Sequence, residues 1–263
     1  MDARIVVEHG DKKLCAIHRI CGSGSKALVI MAHGGPGGDK RGPLGLFDIL
    51  AEKLDTQLRV SSLRFDFLGY GESDGTPLDL TLRSRALELG SVIAWAVERG
   101  YNRLALVAES LGASVALWAE CPEIDVLVFL WPAIVLSDTD LKAYFTPERQ
   151  AELTEKGFIL DGNIPVCAEF VHECRESNLA PALDRIRVPT LIVHGDADQC
   201  VPVAQAQMAH GRIRSPKKLV IVAGGGHSLG RSAERALVLE TVTDWIGRHL
   251  LDGREPHERK PAL

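Results

Sequence analysis

Residues 104–119 read LALVAESLGASVALWA. An apolar run ends at Ala108, and a pattern of apolar residues at helical spacing begins at Ala113. Ser110 therefore stands where a strand turns sharply into a helix, a bend that exposes the hydroxyl in front of the helix N-terminus. Because neighbouring backbone passes close to such a bend, small residues are needed two positions before and after the serine. Gly112 meets this requirement, whereas Ala108 stands where a glycine is usual.

The bulk composition is that of an ordinary globular protein. The 263 residues are 46% hydrophobic and 25% charged, enough for one large α/β domain or two small ones. A net charge of −5 gives no reason to bind nucleic acid or an anionic membrane. No apolar run approaches the roughly 20 residues of a membrane span, and no signal peptide is evident. Six scattered cysteines without a C-x-x-C pair are typical of reduced thiols in a cytosolic protein.

Strand and helix patterns alternate along most of the chain. After an opening hairpin, Ala27–Ala32 is predicted to be a buried apolar strand, and further strands are predicted at Val60–Phe65, Leu104–Ala108, Ile124–Leu130, Thr190–His194 and Lys218–Ala223. Helical patterns lie between them and after the last one. Such alternation predicts an α/β protein with a doubly wound, mostly parallel sheet and helices on both faces.

The alternation stops over residues 132–186, where the sequence becomes mixed and polar. We therefore predict a core formed by residues 1–131 and 187–250, a cap insertion over 132–186, and a frayed tail over 251–263. The apolar residues of the insertion could line a substrate pocket, but the cap's own small core is the favoured interpretation. They are Tyr144, Phe145, Phe158, Ile159 and Phe170.

Reactive groups of such a sheet belong in the loops that follow the carboxyl ends of strands. The first of these loops is HGGPGG, residues 33–38, whose glycines let backbone approach a bound oxygen and offer an N–H to an oxyanion. The same residues are also typical of a flexible turn. A phosphate-binding loop is disfavoured, because Asp39 follows Gly38. The second loop, residues 66–74, is interpreted as structural, although Tyr70 could lie near the cleft.

Two later loops supply partners for Ser110. Asp196 and Asp198 follow one strand, and His227 follows the last one in a glycine-rich loop. A neutral imidazole can accept the serine proton, while a carboxylate behind the imidazole fixes its tautomer and stabilises the imidazolium. Each residue alone could be an ordinary turn or surface residue, but the order Ser, Asp, His, each after a strand, favours a triad.

The chain resembles the α/β-hydrolase fold superfamily from about Leu28 to His249. The resemblance rests on residues 33–37, 108–112 and 226–228, and on HGDADQCVP, residues 194–202. In relatives the acid normally precedes x-x-Val-Pro, which implies Asp198 rather than Asp196. The resemblance further implies Ser110 as nucleophile and His227 as base. It also implies an oxyanion hole formed by the N–H groups of Gly35 and Leu111.

Within the superfamily, the chain looks most like cytosolic carboxylesterases of the cinnamoyl/feruloyl esterase and monoglyceride-lipase-like group. This resemblance implies a serine esterase that forms an acyl-enzyme from a small or medium acyl or aromatic ester. A thioesterase or acyltransferase with the same triad is the main alternative, and a non-catalytic binding protein is a weaker one, slightly favoured by Ala108. We expect no cofactor and no metal, because His194 and Cys200 lack ligand spacing. We expect an ester or thioester as substrate, and a homodimer remains compatible with the sequence.

Overall fold

An eight-stranded sheet with helices on both faces organises the protein. The computed structural model describes residues 2–22 and 24–251. Its strands are Asp2–His9 (β1), Lys12–Arg19 (β2), Ala27–Ala32 (β3), Ser61–Phe65 (β4), Arg103–Glu109 (β5), Val126–Leu130 (β6), Phe158–Asp161 (β7), Ile164–Cys167 (β8), Thr190–Gly195 (β9) and Lys217–Val222 (β10). Its α-helices are Leu46–Lys53 (α1), Leu82–Glu98 (α2), Leu111–Ala119 (α3), Pro147–Lys156 (α4), Ala168–Glu176 (α5), Ala180–Leu183 (α6), Val203–Arg212 (α7) and Ser232–Ile246 (α8).

The strands of the large sheet lie in the order β1-β2-β4-β3-β5-β6-β9-β10. The opening hairpin is antiparallel, and β2 also pairs antiparallel with β4. Within this sheet, the pairings β4-β3, β3-β5, β5-β6, β6-β9 and β9-β10 are all parallel. The predicted α/β class and mostly parallel sheet are confirmed.

The central strands are buried on both faces, as their continuous apolar sequences require. All six residues of β3 are buried, and successive side chains alternate between two cores. Leu28 and Ile30 belong to the larger core, on one face of the sheet, whereas Val29 and Met31 belong to the smaller core on the other face. This burial on both faces holds the carboxyl ends of β3, β5 and β9 in a fixed relative arrangement, and β10 pairs with β9 along its length.

Between β6 and β9 the chain forms structure that the sequence patterns do not reveal. Three short helices, α4 to α6, accompany the antiparallel hairpin of β7 and β8. Buried Gln205 ties the start of this segment to α7, because its Oε1 accepts from the N–H groups of Ile134 (2.7 Å) and Val135 (3.1 Å). The carboxylate of Glu173 accepts from the Leu82 N–H at the start of α2. The boundaries 132–186 stay a prediction.

Most of the apolar side chains of this insertion pack inward. Ile159 and Phe170 are fully buried, but they join the larger core that also contains sheet residues such as Leu28, and do not form a separate small core of the insertion. Tyr144 also belongs to this core, yet it borders the cavity that contains Ser110, as do Leu141 and Ala143.

Three further features bear on the sequence expectations. No helix within residues 2–22 and 24–251 is long and apolar enough to cross a membrane. The six cysteines all lie in these ranges, and no two of them form a disulfide. The predicted frayed tail falls, from residue 252 onward, outside the described residues.

Candidate active site

Ser110 occupies a strained bend between β5 and α3. Its backbone angles are φ 51° and ψ −119°, a conformation that residues with a Cβ rarely adopt. Hydrogen bonds hold the bend in place: the Ser110 N–H donates to the Leu130 carbonyl (2.9 Å), and its carbonyl accepts from the Ala113 (3.1 Å) and Ala133 (3.2 Å) N–H groups. The sequence pattern of a strand that turns into a helix at this serine thus has a direct structural counterpart.

Close backbone contacts explain the small residues around the bend. A Cβ on Gly112 would lie 2.6 Å from the Ala32 carbonyl oxygen and 2.8 Å from that of His33, too close for a side chain. Gly34 is equally confined, since an added Cβ would lie 2.8 Å from the Ser110 Cβ. Ala108 is fully buried in the larger core, where its methyl group packs as part of the sheet. The structure thus accommodates the departure from glycine at this position.

His227 is paired with Asp198 and not with Asp196. The Nδ1 of His227 lies 2.8 Å from the Oδ2 of Asp198. The other carboxylate oxygen of Asp198 accepts from the N–H groups of Cys200 (2.8 Å) and Val201 (3.0 Å). Asp196 instead accepts from the Gly224 N–H (2.6 Å), and so braces the loop that carries the histidine.

The local charges set the protonation of this pair. Burial favours the neutral acid at Asp198, but hydrogen bonds from His194, His227 and Val201 outweigh it and hold the pKa of Asp198 well below its usual range. At His227, burial lowers the pKa, while the hydrogen bond to Asp198 and the charges of Glu109 and Asp140 raise it by more. The pKa of His227 is therefore raised, and the imidazolium is stabilised.

His194 is a neighbour of the acid that sequence reasoning did not assign to the site. It is fully buried, and its Nε2 lies 2.9 Å from the Val201 carbonyl oxygen and 3.3 Å from the Asp198 Oδ2. A carbonyl can only accept, so Nε2 carries a proton that also faces the carboxylate. The sequence could have indicated this role, because His194 lies at the end of β9, four residues before Asp198.

Ser110, His227, Gly35 and Leu111 border one cavity of about 390 Å³. A second cavity of about 350 Å³, lined by the glycine-rich loop, also reaches Ser110 and His227. The N–H groups of Gly35 and Leu111 have no hydrogen-bond acceptor within the described part of the chain. Leu111 N–H also lies at the N-terminus of α3, where the helix dipole favours a negative charge. Four of the five predicted site residues thus border one cavity, and the fifth, Asp198, lies behind His227.

The buried carboxylate of Glu109 connects the bend to the glycine-rich loop. One of its oxygens accepts from the Gly34 N–H (2.6 Å), and the other accepts from the Trp131 indole N–H (2.8 Å). Burial raises the pKa of Glu109, although these two hydrogen bonds favour the carboxylate. Sequence reasoning gave this residue no role, because a glutamate beside a nucleophile carries no signal without the fold.

Asp198, Cys200 and His227 offer ligand atoms within 4.8 Å of one another. The group does not fit a metal ion well, because Asp198 Oδ2 and His227 Nδ1 are hydrogen-bonded to each other. Burial and the neighbouring Asp140 also raise the pKa of the Cys200 thiol to about 12, and a metal requires the thiolate.

Comparison with known proteins identifies the family of this chain. The profile of the alpha/beta hydrolase family matches residues 29–240. The mitochondrial palmitoyl-protein thioesterase ABHD10 of Mus musculus is 24% identical over 214 residues, which are 78% of this chain and 71% of that protein. The uncharacterized protein YfhR of Salmonella typhi is 24% identical over 206 residues, 76% of this chain and 64% of its own length. This chain thus matches less than two thirds of YfhR.

A solved structure shows the same fold over nearly the whole chain. Est1E of Butyrivibrio proteoclasticus, with bound ferulic acid, has a TM-score of 0.80 at 23% identity, covering 93% of this chain and 98% of Est1E. The matched profile, the mostly parallel eight-stranded sheet and the strained serine at the end of β5 agree with one another. This chain therefore belongs to the alpha/beta hydrolase family.

Proposed function

We propose that this protein is a serine hydrolase of carboxylic esters, with Ser110 as nucleophile, His227 as general base and Asp198 as the acid that orients the histidine. The observation that carries the proposal is the 2.8 Å contact between His227 Nδ1 and Asp198 Oδ2, at a cavity shared with Ser110. Because Nδ1 faces the carboxylate, Nε2 is the ring nitrogen left to accept the serine proton.

The reaction proceeds in two stages. Ser110 Oγ attacks the ester carbonyl carbon as its proton passes to His227 Nε2, and the resulting oxyanion accepts from the N–H groups of Gly35 and Leu111. The tetrahedral intermediate then collapses, the C–O bond breaks, and the leaving alcohol takes the proton from Nε2. Water repeats the sequence on the acyl-enzyme, which releases the acid and restores Ser110.

The charges around the site favour neutral or cationic substrates. Asp140 and Asp161 border the first cavity, and Asp39 borders the second. The residues that line the two cavities include no lysine or arginine, and all of them lie in the described part of the chain. A substrate with a negative charge near its ester group would meet uncompensated carboxylates, so we expect esters of small or medium acyl or aromatic acids without such a charge.

Hydrolysis of p-nitrophenyl acetate, butyrate and octanoate by wild type and by Ser110→Ala tests the proposal. Phosphonate labelling of Ser110, read by mass spectrometry, is measured on the same samples. Turnover and labelling that both disappear in the variant would establish the nucleophile, and the chain-length profile would size the acyl pocket. Folded wild-type protein with neither signal would contradict the proposal and favour the non-catalytic binding protein.

A thioesterase or acyltransferase is the second candidate, because the relative ABHD10 of mouse is named a palmitoyl-protein thioesterase. The same attack by Ser110 on a thioester releases a thiol in place of an alcohol. An S-acyl cysteine peptide tested beside its O-acyl serine counterpart separates the two activities. Labelling of Ser110 without turnover of either peptide would indicate an acyltransferase that lacks its acceptor. We also propose a cytosolic location, because the free cysteines are typical of a reducing compartment.

A further inference from the structure

Arg85 is a fully buried cation beneath the glycine-rich loop. It lies in the first turn of α2 and is 1% exposed. Within residues 2–22 and 24–251 no carboxylate lies within ion-pair distance of its guanidinium. A buried charge without an ionic partner is costly, and arginine keeps its charge at all ordinary pH values.

Two aromatic rings and two backbone carbonyls surround this charge. The guanidinium carbon lies 4.7 Å from the ring centre of Phe67 and 4.8 Å from that of Tyr70, within cation–π range. Its Nη2 donates to the Gly35 carbonyl (3.2 Å), and its Nη1 makes a longer contact with the Gly34 carbonyl (3.5 Å). The loop of residues 66–74 thus helps to hold the guanidinium under the glycine-rich loop.

The Gly34 carbonyl belongs to the same amide group as the Gly35 N–H. In a trans peptide these two groups point in opposite directions, so fixing the carbonyl also fixes the direction of the N–H. His33 assists, since its Nδ1 lies 3.0 Å from the Gly34 carbonyl oxygen while its Nε2 accepts from the Phe67 N–H (3.2 Å). That pairing requires the proton on Nδ1.

Glu109 holds the other side of Gly34. Its carboxylate accepts from the Gly34 N–H at 2.6 Å, so both backbone polar groups of Gly34 are engaged. The Gly35 N–H, by contrast, has no acceptor among the described residues, and Gly35 borders the cavity of Ser110. The loop is therefore anchored through Gly34, while the Gly35 N–H stays available to a bound group in the cavity.

We propose that Arg85 is a positioning residue for the oxyanion hole: it holds the Gly34 and Gly35 carbonyls so that the Gly35 N–H faces the oxyanion formed at Ser110. The inference rests on the proposed hydrolase function. Donation into the carbonyl of an amide also polarises its N–H, which strengthens that group as a donor.

A purely structural role for Arg85 predicts a different result. If the side chain only packs, its replacement lowers the stability of the fold and leaves the chemical step unchanged in the folded fraction. A positioning role acts on the transition state, so it lowers kcat and leaves KM nearly unchanged. Removing an oxyanion donor outright costs about 10² to 10³ in rate, so misdirecting one is expected to cost about 10-fold to 100-fold.

The test compares Arg85→Met and Arg85→Lys with the control Arg64→Met. Arg64 is also buried, 5% exposed, but it lies in β4 and pairs with Asp2 and Asp48. We expect both Met variants to lower the melting temperature. Only Arg85→Met should lower kcat for p-nitrophenyl butyrate, by about 10-fold to 100-fold with KM within about twofold. Arg85→Lys, which keeps the charge but loses the planar fork, should fall between wild type and Arg85→Met.

Inhibitor binding separates this inference from the proposed function. A trifluoromethyl ketone forms a tetrahedral adduct with Ser110, whereas the matched methyl ketone binds as a planar ground-state analogue. Affinity for the first should fall in Arg85→Met by the same factor as kcat/KM, and affinity for the second should not change. Unchanged kcat in the folded variants, or a loss confined to KM, overturns the inference while the hydrolase stands.

Wild type that neither hydrolyses the ester nor binds the trifluoromethyl ketone overturns both proposals together. If Arg85→Met does not fold, the same two measurements are made on Arg85→Lys. Wild-type values of kcat and of inhibitor affinity in Arg85→Lys would contradict the inference.

Discussion

His227 Nδ1 and Asp198 Oδ2 lie 2.8 Å apart, although 29 residues separate them in the chain. The carboxylate is inaccessible to solvent, while the imidazole is 23% exposed toward the cavity. A buried acceptor therefore fixes one side of the ring and leaves the other available for proton transfer. This asymmetry connects the fold to the chemistry and underlies the pH dependence expected for the enzyme.

The rate should fall in acid as His227 becomes protonated. The pKa of His227 is raised above its ordinary value of 6.5, so the acid limb of kcat/KM should have its midpoint above pH 6.5. Asp198→Asn removes the charge that raises this pKa and favours the wrong tautomer. We expect about 10⁴-fold lower kcat and an acid limb moved to lower pH. Asp196→Asn is the control, and an unmoved limb in Asp198→Asn would contradict the assignment.

Protonation of His227 lowers the rate, but it raises the free energy of unfolding. The pKa of His227 is higher in the folded than in the unfolded state, so protonation stabilises the fold. This stabilisation is fully present below the unfolded-state pKa, near pH 6.5. That contribution disappears as pH rises through the folded pKa. Thermal melts of wild type and His227→Gln across this range should converge at the alkaline end, after correction for the pH-independent difference between them.

Ser110 should carry a measurable cost in stability. Its φ of 51° is unfavourable for any residue with a Cβ, whereas glycine adopts it freely. Ser110→Gly is therefore expected to be about 1 kcal/mol more stable than Ser110→Ala, which keeps the strain. Denaturant unfolding measures the difference, and both variants should lose at least about 10⁴-fold in kcat. Equal stabilities would mean that the bend stores no strain.

The two small residues around the bend should respond differently to substitution. Gly112→Ala places a methyl 2.6 Å from the Ala32 carbonyl oxygen, and we expect it to cost about 2 kcal/mol or more and to reduce kcat. Ala108→Gly removes a buried methyl, which should cost about 1 kcal/mol while leaving kcat/KM within about threefold. A large loss of activity in Ala108→Gly would show that the methyl group is needed at the bend.

The carboxylates at the cavity should discriminate against anionic esters. Asp140 borders the cavity, and its charge contributes to the raised pKa of His227. Asp140→Asn should improve kcat/KM for p-nitrophenyl hemisuccinate relative to p-nitrophenyl butyrate by roughly threefold to tenfold at low salt. The gain should shrink at high ionic strength, where screening is stronger. Glu148→Gln, an exposed change in α4 away from the cavity lining, serves as the control.

The fold was largely predictable because local chemistry repeats along the chain. Six apolar runs, separated by helical patterns, specify parallel strands without reference to any long-range contact. The insertion was the weak point, because its hairpin and short helices are stabilised by contacts with distant residues. Gln205 in α7 and Leu82 in α2 each bind it through hydrogen bonds that no local pattern reveals.

The sequence by itself determined the class of the sheet and the order of Ser110, Asp198 and His227 along it, because strand ends can be read from apolar periodicity. The resemblance to relatives implied Asp198 as the acid, but only the tertiary structure shows the contacts themselves, with His227 against Asp198 and Asp196 bonded to Gly224. It alone placed Arg85 and Glu109 against Gly34 from opposite sides. Apolar periodicity shows which face of a strand or helix is buried. The residues that a side chain contacts on that face depend on which distant elements the sheet brings together.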